Sequence, residues 1–275
     1  MNSKMKITEE TLLLTWTIAP KLGIKKFYKN TIDPRQRLKE YDKAIKFYIK
    51  MSQFKNIVFC ENSNYSCKHR KKSIYKLAKM YDKNLEILQF EWSNKTLILS
   101  YSYWEGECID YAFDNSTLIK NSNNWRKITG RYIITNINEI TSSSNTENLL
   151  FKWMWPLQYF MIDTSFFKVT NMIYEKYLYN AKNDITVKNK KCIESLYYDR
   201  LRYKDIHFWR LKILPIKEWF RDSGYNKRWY HGILLKLWFR NEGTYLSYSI
   251  DKVAYWNVLF ISFVKKLLLC IWCKI

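Results

Sequence analysis

The chain has 275 residues, of which 47% are hydrophobic and 18% aromatic, and this composition excludes an intrinsically disordered protein. Its 47 lysines and arginines outnumber its 25 acidic residues, and the net charge of +22 predicts attraction to polyanions or to an anionic membrane surface. The six cysteines contain a single C-x-x-C, at Cys270 and Cys273, and no histidine at ligand spacing, so zinc is the weaker interpretation and we expect reduced thiols in a cytoplasmic protein.

The N-terminal part predicts a strand, a helix and a second strand. Residues 12–20 form an apolar run that ends at a proline, which indicates a buried strand. A helix is predicted over residues 33–51, because an Asp-Pro pair starts it and apolar residues recur at helical spacing. Residues 57–60 form the second strand. A strand-helix-strand unit favours a parallel sheet.

The carboxyl ends of these two strands carry the first candidate binding residues. Thr15 and Thr17 lie near the end of the first strand, and Glu61 and Asn62 follow the second. Ligands of open α/β sheets bind at this edge, so these residues predict one side of a binding site.

The same alternation continues to a basic segment. A helix is predicted near residues 71–81, a third strand at 85–90, and a further helix that opens at Gly106. The chain then reaches residues 127–132 (KITGRY), which we assign to a fourth parallel strand that the β-favouring run 133–136 extends.

This basic segment suits a diphosphate. Lys127 offers a point charge and Arg131 a planar fork, while Gly130 between them allows the backbone to approach a ligand closely. The alternative is a solvated edge strand whose cations bind nothing.

Two features in the next part of the chain have both structural and functional interpretations. The polar cluster at residues 141–148 is either a lid over a site or an idle surface loop. Strands are predicted at 149–155 and 159–167. Asp163 falls inside the second of them and is either a site residue or a structural acid with a buried partner.

Helices at 171–181 and 191–202 and a last strand at 208–216 follow, and the second helix carries Glu194.

The composition changes at residue 219. Residues 201–275 contain fourteen Lys and Arg against five Asp and Glu, interleaved with tryptophans, which is typical of membrane-interface segments. The apolar tract 253–275 contains two adjacent lysines at its centre, which favours an interfacial over a spanning position. We therefore predict a ligand-binding α/β domain at 11–218 and a membrane-association region at 219–275, or alternatively a basic helical cap in that place. Since residues 1–10 are polar and predict no signal peptide, the expected location is the inner face of the cell membrane.

An ordered set of motifs resembles bacterial glycosyltransferases of capsule and lipopolysaccharide clusters over about residues 11–202. These motifs are LTWTIAP at 14–20, Asp33-Pro34 with Arg37-Leu38 and Tyr41, VFCENS at 58–63, Gly106-Glu107 with Tyr111-Ala112, and KITGR at 127–131. The resemblance implies a GT-A fold, with a single Rossmann-like and mostly parallel sheet, followed here by a basic, aromatic-rich helical appendage. It also implies transfer of a sugar from a nucleotide-diphosphate donor to a growing surface polysaccharide or lipid-linked glycan.

The resemblance also implies a role for each candidate residue. The nucleoside would lie near Thr15 and Thr17, its base or ribose near Glu61 and Asn62, and the diphosphate near Lys127, Gly130 and Arg131. The catalytic base would be Glu194, with Asp163 as second candidate or as a metal ligand. A solvated helix glutamate is the alternative for Glu194.

The chain departs from the GT-A pattern because no Asp-x-Asp follows the fourth strand. Fixed cations can stabilise a leaving diphosphate as a metal ion would, so a metal-independent reaction is one expectation, with manganese or magnesium left open.

Two other functions compete with this interpretation. The charge and the many Tyr and Trp residues would suit a nucleic-acid-binding protein. We expect no nucleic-acid partner, because the aromatic residues fall largely in apolar segments and no nucleic-acid module is recognisable. The third interpretation is an inactive membrane-bound scaffold of the same pathway.

Overall fold

A six-stranded sheet forms the centre of the protein, as seen in a computed structural model that describes residues 8–19, 33–66, 68–93, 101–143, 149–152, 163–186, 188 and 191–201. Its strands are β1 (Thr8–Trp16), β2 (Phe54–Glu61), β3 (Asn84–Gln89), β4 (Asn124–Thr129), β5 (Leu149–Lys152) and β6 (Asp163–Thr170). Their order across the sheet is β3-β2-β1-β4-β6-β5.

Four of these strands are parallel. β1 pairs in parallel with both β2 and β4, and β2 pairs in parallel with β3. β6 is antiparallel to β4, and β5 is antiparallel to β6. The predicted α/β fold with a mostly parallel sheet is therefore confirmed, and an antiparallel pair at one edge completes it.

The chain changes direction across the sheet at β1. It first builds outward through β2 and β3, and then returns to place β4 on the other side of β1. The gap between β1 and β4 is therefore the topological switch point, where open α/β sheets bind ligands outside the carboxyl ends of the strands.

Helices cover both faces of the sheet. They are α1 (Pro34–Met51), α2 (Lys68–Met80), α3 (Tyr101–Asn115), α4 (Thr117–Lys120), α5 (Ile137–Ser143), α6 (Asn171–Ile173), which continues as a π-helix over Tyr174–Leu178, a 3-10 helix at Ala181–Asp184, and α7 (Ile193–Leu201). Helix α1 begins as predicted, because Asp33 Oδ1 accepts a hydrogen bond from Arg35 N at 2.9 Å and Pro34 occupies the first turn. Within the described residues, no helix combines the length and the apolar character that crossing a membrane needs.

The two faces of the sheet have separate apolar cores. Leu13 and Trp125 point to the face covered by α3 and α7. Leu12 and Ile128 point to the face covered by α1, α2 and α5. Successive strand residues alternate between faces, and burial on both sides explains the nearly continuous apolar run of β1.

Two predicted elements differ from the structure near the switch point. Gly106 lies inside α3 and does not open it. A glycine is favoured at this position because the 3-10 helix packs against it, and a Cβ at Gly106 would lie 2.9 Å from Lys182 Cβ. Strand β4 ends at Thr129, and residues 133–136 form no strand. Ile133 and Ile134 instead pack into the core beneath α1.

Later boundaries differ as well. The first part of the polar cluster at 141–148 belongs to α5. Of the strand predicted at 159–167, residues 163–167 belong to β6 and residues 159–162 lie outside the described residues. The predicted strand at 208–216, the boundary at 218 and the region 219–275 lie outside the described residues.

Candidate functional site

The carboxyl ends of β1 and β4 lie side by side at the switch point. Thr15 pairs with Thr129 in the parallel register, and Gly130 N donates to Thr15 O at 2.9 Å. The Thr15 side chain is 9% exposed and its hydroxyl forms no hydrogen bond within the described part of the chain. Thr15 therefore offers a hydroxyl to a ligand at this edge.

Lys127 is the centre of a polar cluster on the α3 face. Its side chain is fully buried and forms an ion pair with Glu105 of α3. Lys127 Nζ also donates to Thr129 Oγ1 at 3.1 Å and to Thr164 O at 2.6 Å. An ammonium group has three donors, and all three of them have partners here.

Glu194 joins the same cluster. It lies in the first turn of α7, where the helix dipole favours a negative charge, and it accepts a hydrogen bond from Thr164 Oγ1 at 3.1 Å. Asp163, the second catalytic candidate, is the first residue of β6 and precedes Thr164 in the chain. The structure thus brings both predicted acid positions to the end of the sheet that holds Lys127.

Arg131 is held on the opposite face from Lys127. It lies in the turn after β4, its Nη1 is 3.9 Å from Glu40 Oε2 of α1, and its guanidinium lies 5.8 Å from the ring centre of Tyr132. The expectation that one strand presents Lys127 and Arg131 to the same diphosphate is therefore wrong. β4 ends at Thr129 and the turn after it carries Arg131 toward α1, whereas Lys127 lies within the strand and has no donor left for a phosphate.

Gly130 is required for packing. A Cβ at this position would lie 2.2 Å from Trp16 Cδ1 and 2.8 Å from Thr15 O. The close approach that we predicted for a ligand is thus made by an indole ring of the protein itself.

Thr17 and Asn62 bind each other behind this edge. Both are buried, and the Thr17 hydroxyl lies 2.7 Å from the Asn62 side-chain amide. With the amide nitrogen turned toward Thr17 and Trp16 O, the amide oxygen accepts a hydrogen bond from the Trp104 indole. These contacts join β1, the loop after β2, and α3.

Glu61 organises the loop that follows β2. Its carboxylate accepts hydrogen bonds from Ile18 N at 3.3 Å, Ser63 N at 3.0 Å, Tyr65 N at 3.1 Å and the Ser63 hydroxyl. Burial raises the pKa of Glu61, and these hydrogen bonds offset part of that rise. Because the carboxylate already has four donors, it does not match the predicted contact to base or ribose.

Sequence reasoning missed Glu105 and Thr164, which connect Lys127 to Glu194. Lys127 is 22 residues from Glu105 and 37 from Thr164 in the chain. Two features of the sequence could have indicated these residues. Glu105 is an acid within the motif WEGE at 104–107, and Thr164 is a hydroxyl residue next to the candidate Asp163. In the described ranges, no three His, Cys, Asp or Glu side chains are grouped closely enough to hold a metal ion.

No protein-family model matches the chain, and no curated protein matches its sequence. A solved structure that is similar in part is that of the glycosyltransferase GlyE in Streptococcus pneumoniae TIGR4, with 9% sequence identity and a TM-score of 0.44. The match covers 69% of this chain and 42% of the GlyE chain, so the protein spans less than half the length of GlyE. No conclusion about function follows from a similarity of this extent.

Proposed function

We propose that this protein is a glycosyltransferase that binds a nucleotide-diphosphate sugar across the carboxyl ends of β1 and β4. The observation that carries the proposal is the run of contacts from Thr129 through Lys127 and Thr164 to Glu194, which starts on β4 beside the switch point and continues through β6 to α7. Open α/β sheets bind nucleotides at this point. The ordered motifs that resemble bacterial glycosyltransferases support the same function.

Glu194 is the proposed catalytic base. In an inverting transfer, the acceptor hydroxyl attacks the anomeric carbon, the bond from that carbon to the diphosphate oxygen breaks, and the Glu194 carboxylate takes the hydroxyl proton. Glu194 is half-buried, and the bond from Thr164 at 3.1 Å orients one of its oxygens. Asp163 is the second candidate for this proton transfer.

The other candidate residues take roles that fit their partners. Arg131, in the turn after β4 at the carboxyl edge of the sheet, is the proposed contact of the leaving diphosphate, for which it would exchange its 3.9 Å pairing with Glu40. The hydroxyl of Thr15 is the proposed contact of the nucleoside. Lys127 acts as a positioning residue through Thr164. Thr17, Glu61 and Asn62 hold the end of β1 and the loop after β2 together at the edge of the proposed site. The described residues offer no metal ligand set, so no step is assigned to a metal ion.

The proposed acceptor is a growing bacterial surface polysaccharide or a lipid-linked glycan, as the resemblance implies. The protein would meet it at the inner face of the cell membrane, in contact with anionic lipid.

The first test is a thermal-shift screen of the full chain against UDP-, GDP- and dTDP-sugars, with and without manganese. A specific donor raises the melting temperature as it occupies the folded state, and the manganese arm reports whether a metal contributes. Absence of stabilisation by every donor would refute the proposal.

The second test separates binding from chemistry. We expect Glu194→Gln to bind the donor found in the screen as the wild type does, but to lose release of the nucleoside diphosphate in the presence of bacterial lipid-linked glycans. Glu175→Gln, at an exposed glutamate, is the matched control. Normal turnover by Glu194→Gln would remove Glu194 as the base, and donor binding without turnover by the wild type would favour the inactive scaffold.

A further inference from the structure

Helices α1 and α2 form a strongly basic outer surface, which we call the basic face. Among the described side chains, eight exposed cations form this surface, five on α1 and three on α2, namely Arg35, Lys39, Lys43, Lys46, Lys50, Lys72, Lys76 and Lys79. The two helices lie on the same face of the sheet and contact each other. An ion pair between Asp42 of α1 and Arg70 of α2 links them.

The cations of α1 form one continuous stripe. They occur at relative positions 0, 4, 8, 11 and 15, which places them within an arc of about 80° and along about 22 Å of the helix. The exposed lysines of α2 also lie on one side of their helix, at relative positions 0, 4 and 7. Seven of the eight are lysines, so the basic face is dominated by flexible, strongly hydrated point charges.

No acidic residue among the described side chains of α1 and α2 is exposed beside these cations. The two acids of α1 are half-buried and turned toward arginines, Glu40 toward Arg131 and Asp42 toward Arg70. The sequence therefore separates its charges on these helices, with acids turned inward to arginines and lysines turned outward.

Exposed apolar side chains concentrate at the same surface. Among the described residues, the large hydrophobic side chains that are exposed are Met51, Tyr75, Met80, Tyr81 and Met172, and all except Met172 lie on α1 or α2 or directly after α2. Met51 is 55% exposed and Met80 is 71% exposed, each at the last residue of its helix. A merely solvated helix face explains the lysines but not the exposed methionines and tyrosines on and next to the same two helices.

We propose that the basic face docks on an anionic membrane surface. The lysines are attracted to acidic lipid headgroups, while the methionine and tyrosine side chains enter the interfacial layer. The exposed methionines favour lipid over nucleic acid, where bidentate arginines and stacked aromatics are the characteristic contacts. This surface belongs to the folded α/β domain, and it is separate from the membrane contact expected of residues 219–275. It does not depend on the proposed sugar transfer.

The test measures sedimentation of the full chain with vesicles of phosphatidylcholine, alone or mixed with phosphatidylglycerol. We expect binding to the anionic vesicles only, and expect added salt to weaken it. The triple variant Lys39→Gln, Lys46→Gln and Lys50→Gln should bind anionic vesicles at least about tenfold more weakly, because each removed lysine contributes to attraction near the surface.

The control variant removes the same charge from elsewhere. Lys120→Gln, Lys176→Gln and Lys188→Gln change three exposed lysines outside α1 and α2 and leave the net charge equal to that of the test variant. The control should retain wild-type binding, and equal losses in the two variants would overturn the proposal. A second variant, Met51→Ser with Met80→Ser, keeps every charge and should also weaken vesicle binding.

A competition with a duplex or single-stranded oligonucleotide distinguishes lipid from nucleic acid. If the α1 lysines were needed for oligonucleotide binding while vesicle binding stayed unchanged, the face would be a nucleic-acid surface and the proposal would be wrong. Unchanged circular dichroism of the variants would exclude misfolding as the cause of lost binding.

Discussion

Gly130 shows how tightly the end of β4 is packed against β1. The neighbouring Trp16 is 5% exposed, stacks on Tyr41 at a centroid distance of 4.9 Å and meets the edge of Phe59 at 4.9 Å. The indole therefore has no room to move away from a new side chain. The turn that carries Arg131 is fixed in place by this contact.

We expect Gly130→Ala to lower the free energy of unfolding by about 1–3 kcal/mol, because its Cβ would overlap the Trp16 ring. The matched control is Gly106→Ala, whose Cβ would meet a lysine Cβ at 2.9 Å. That position is helical, where alanine gains about 1 kcal/mol over glycine, so the net loss should be smaller. Urea unfolding of both variants measures the difference, and an unchanged Gly130→Ala would mean that the turn can shift.

Glu61 makes stability depend on pH. Because burial raises its pKa in the folded protein, its contribution to the free energy of unfolding is greatest below its ordinary value of 4.5 and falls as the pH rises above it. Glu61→Gln removes this dependence, although it also loses acceptors for backbone N–H groups. We therefore expect a variant that is less stable in acid and that approaches the wild type as the pH rises. Urea unfolding over a pH series measures this, with Glu175→Gln as control, and parallel curves for Glu61→Gln and wild type would contradict it.

Helix α1 ties together the two strand ends at the switch point. Tyr41 and Tyr48 lie two turns apart on its buried side. The Tyr41 hydroxyl donates to Thr17 O at 3.3 Å and accepts from Thr17 N at 3.1 Å. The Tyr48 hydroxyl donates to Tyr132 O at 2.7 Å and accepts from Ile134 N at 3.1 Å. Both segments lack strand partners there, so the helix satisfies their backbone groups.

Removing either hydroxyl should leave a buried N–H and a buried carbonyl without a partner. We expect Tyr48→Phe and Tyr41→Phe each to cost about 1–3 kcal/mol of unfolding free energy. Tyr75→Phe, at an exposed tyrosine of α2, should change it by less than about 0.5 kcal/mol. Chemical denaturation compares the three, and equal effects at all three positions would show that water replaces the lost hydroxyls.

The elements that the sequence predicted correctly are those with a local signal. Helix α1 has a cap and a long periodic pattern, and β1 and β2 are apolar runs that end in polar residues. The errors fall where a tertiary contact decides. Residues 133–136 have β-favouring side chains, but Ile133 and Ile134 pack into the core with α1, and the Tyr48 hydroxyl bonds to the backbone of Tyr132 and Ile134. Gly106 was predicted to be the start of a helix, but glycine is needed there because of close packing against Lys182, which is distant in the sequence.

At the scale of the whole molecule, charged side chains from distant parts of the chain form buried ion pairs on both faces of the sheet. Adjacent residues Arg126 and Lys127 point to opposite faces of the sheet, where Arg126 Nε lies 2.6 Å from Glu10 and Lys127 pairs with Glu105. In a sequence with a charge of +22, these two cations resemble the many exposed ones. Only the strand register and the position of α3 distinguish these two buried cations from the exposed ones. The end of the sheet that carries the site could therefore be predicted from the sequence, but the role of Lys127 could not.

The pair of Lys127 and Glu105 lends itself to a double-mutant cycle. Lys127→Met removes three hydrogen bonds from a fully buried site and leaves Glu105 without its cation, so we expect a loss of about 3–5 kcal/mol. Glu105→Gln keeps an acceptor, and the Glu105 side chain is 26% exposed, so its loss should be smaller. The double variant should lose less than the sum of the two by about 1–3 kcal/mol, because the groups interact directly.

An exposed ion pair provides the control for this cycle. Lys191 and Asp199 lie 2.7 Å apart with side-chain exposures of 46% and 29%, and Lys191→Met should cost no more than about 1 kcal/mol. Because Lys127 holds Thr164, which in turn orients Glu194, Lys127→Met should also slow transfer in enzyme that remains folded, while Lys191→Met should not. Additive losses in the cycle would mean that the buried pair does not act as a unit, and unchanged transfer by folded Lys127→Met would refute the positioning role of Lys127.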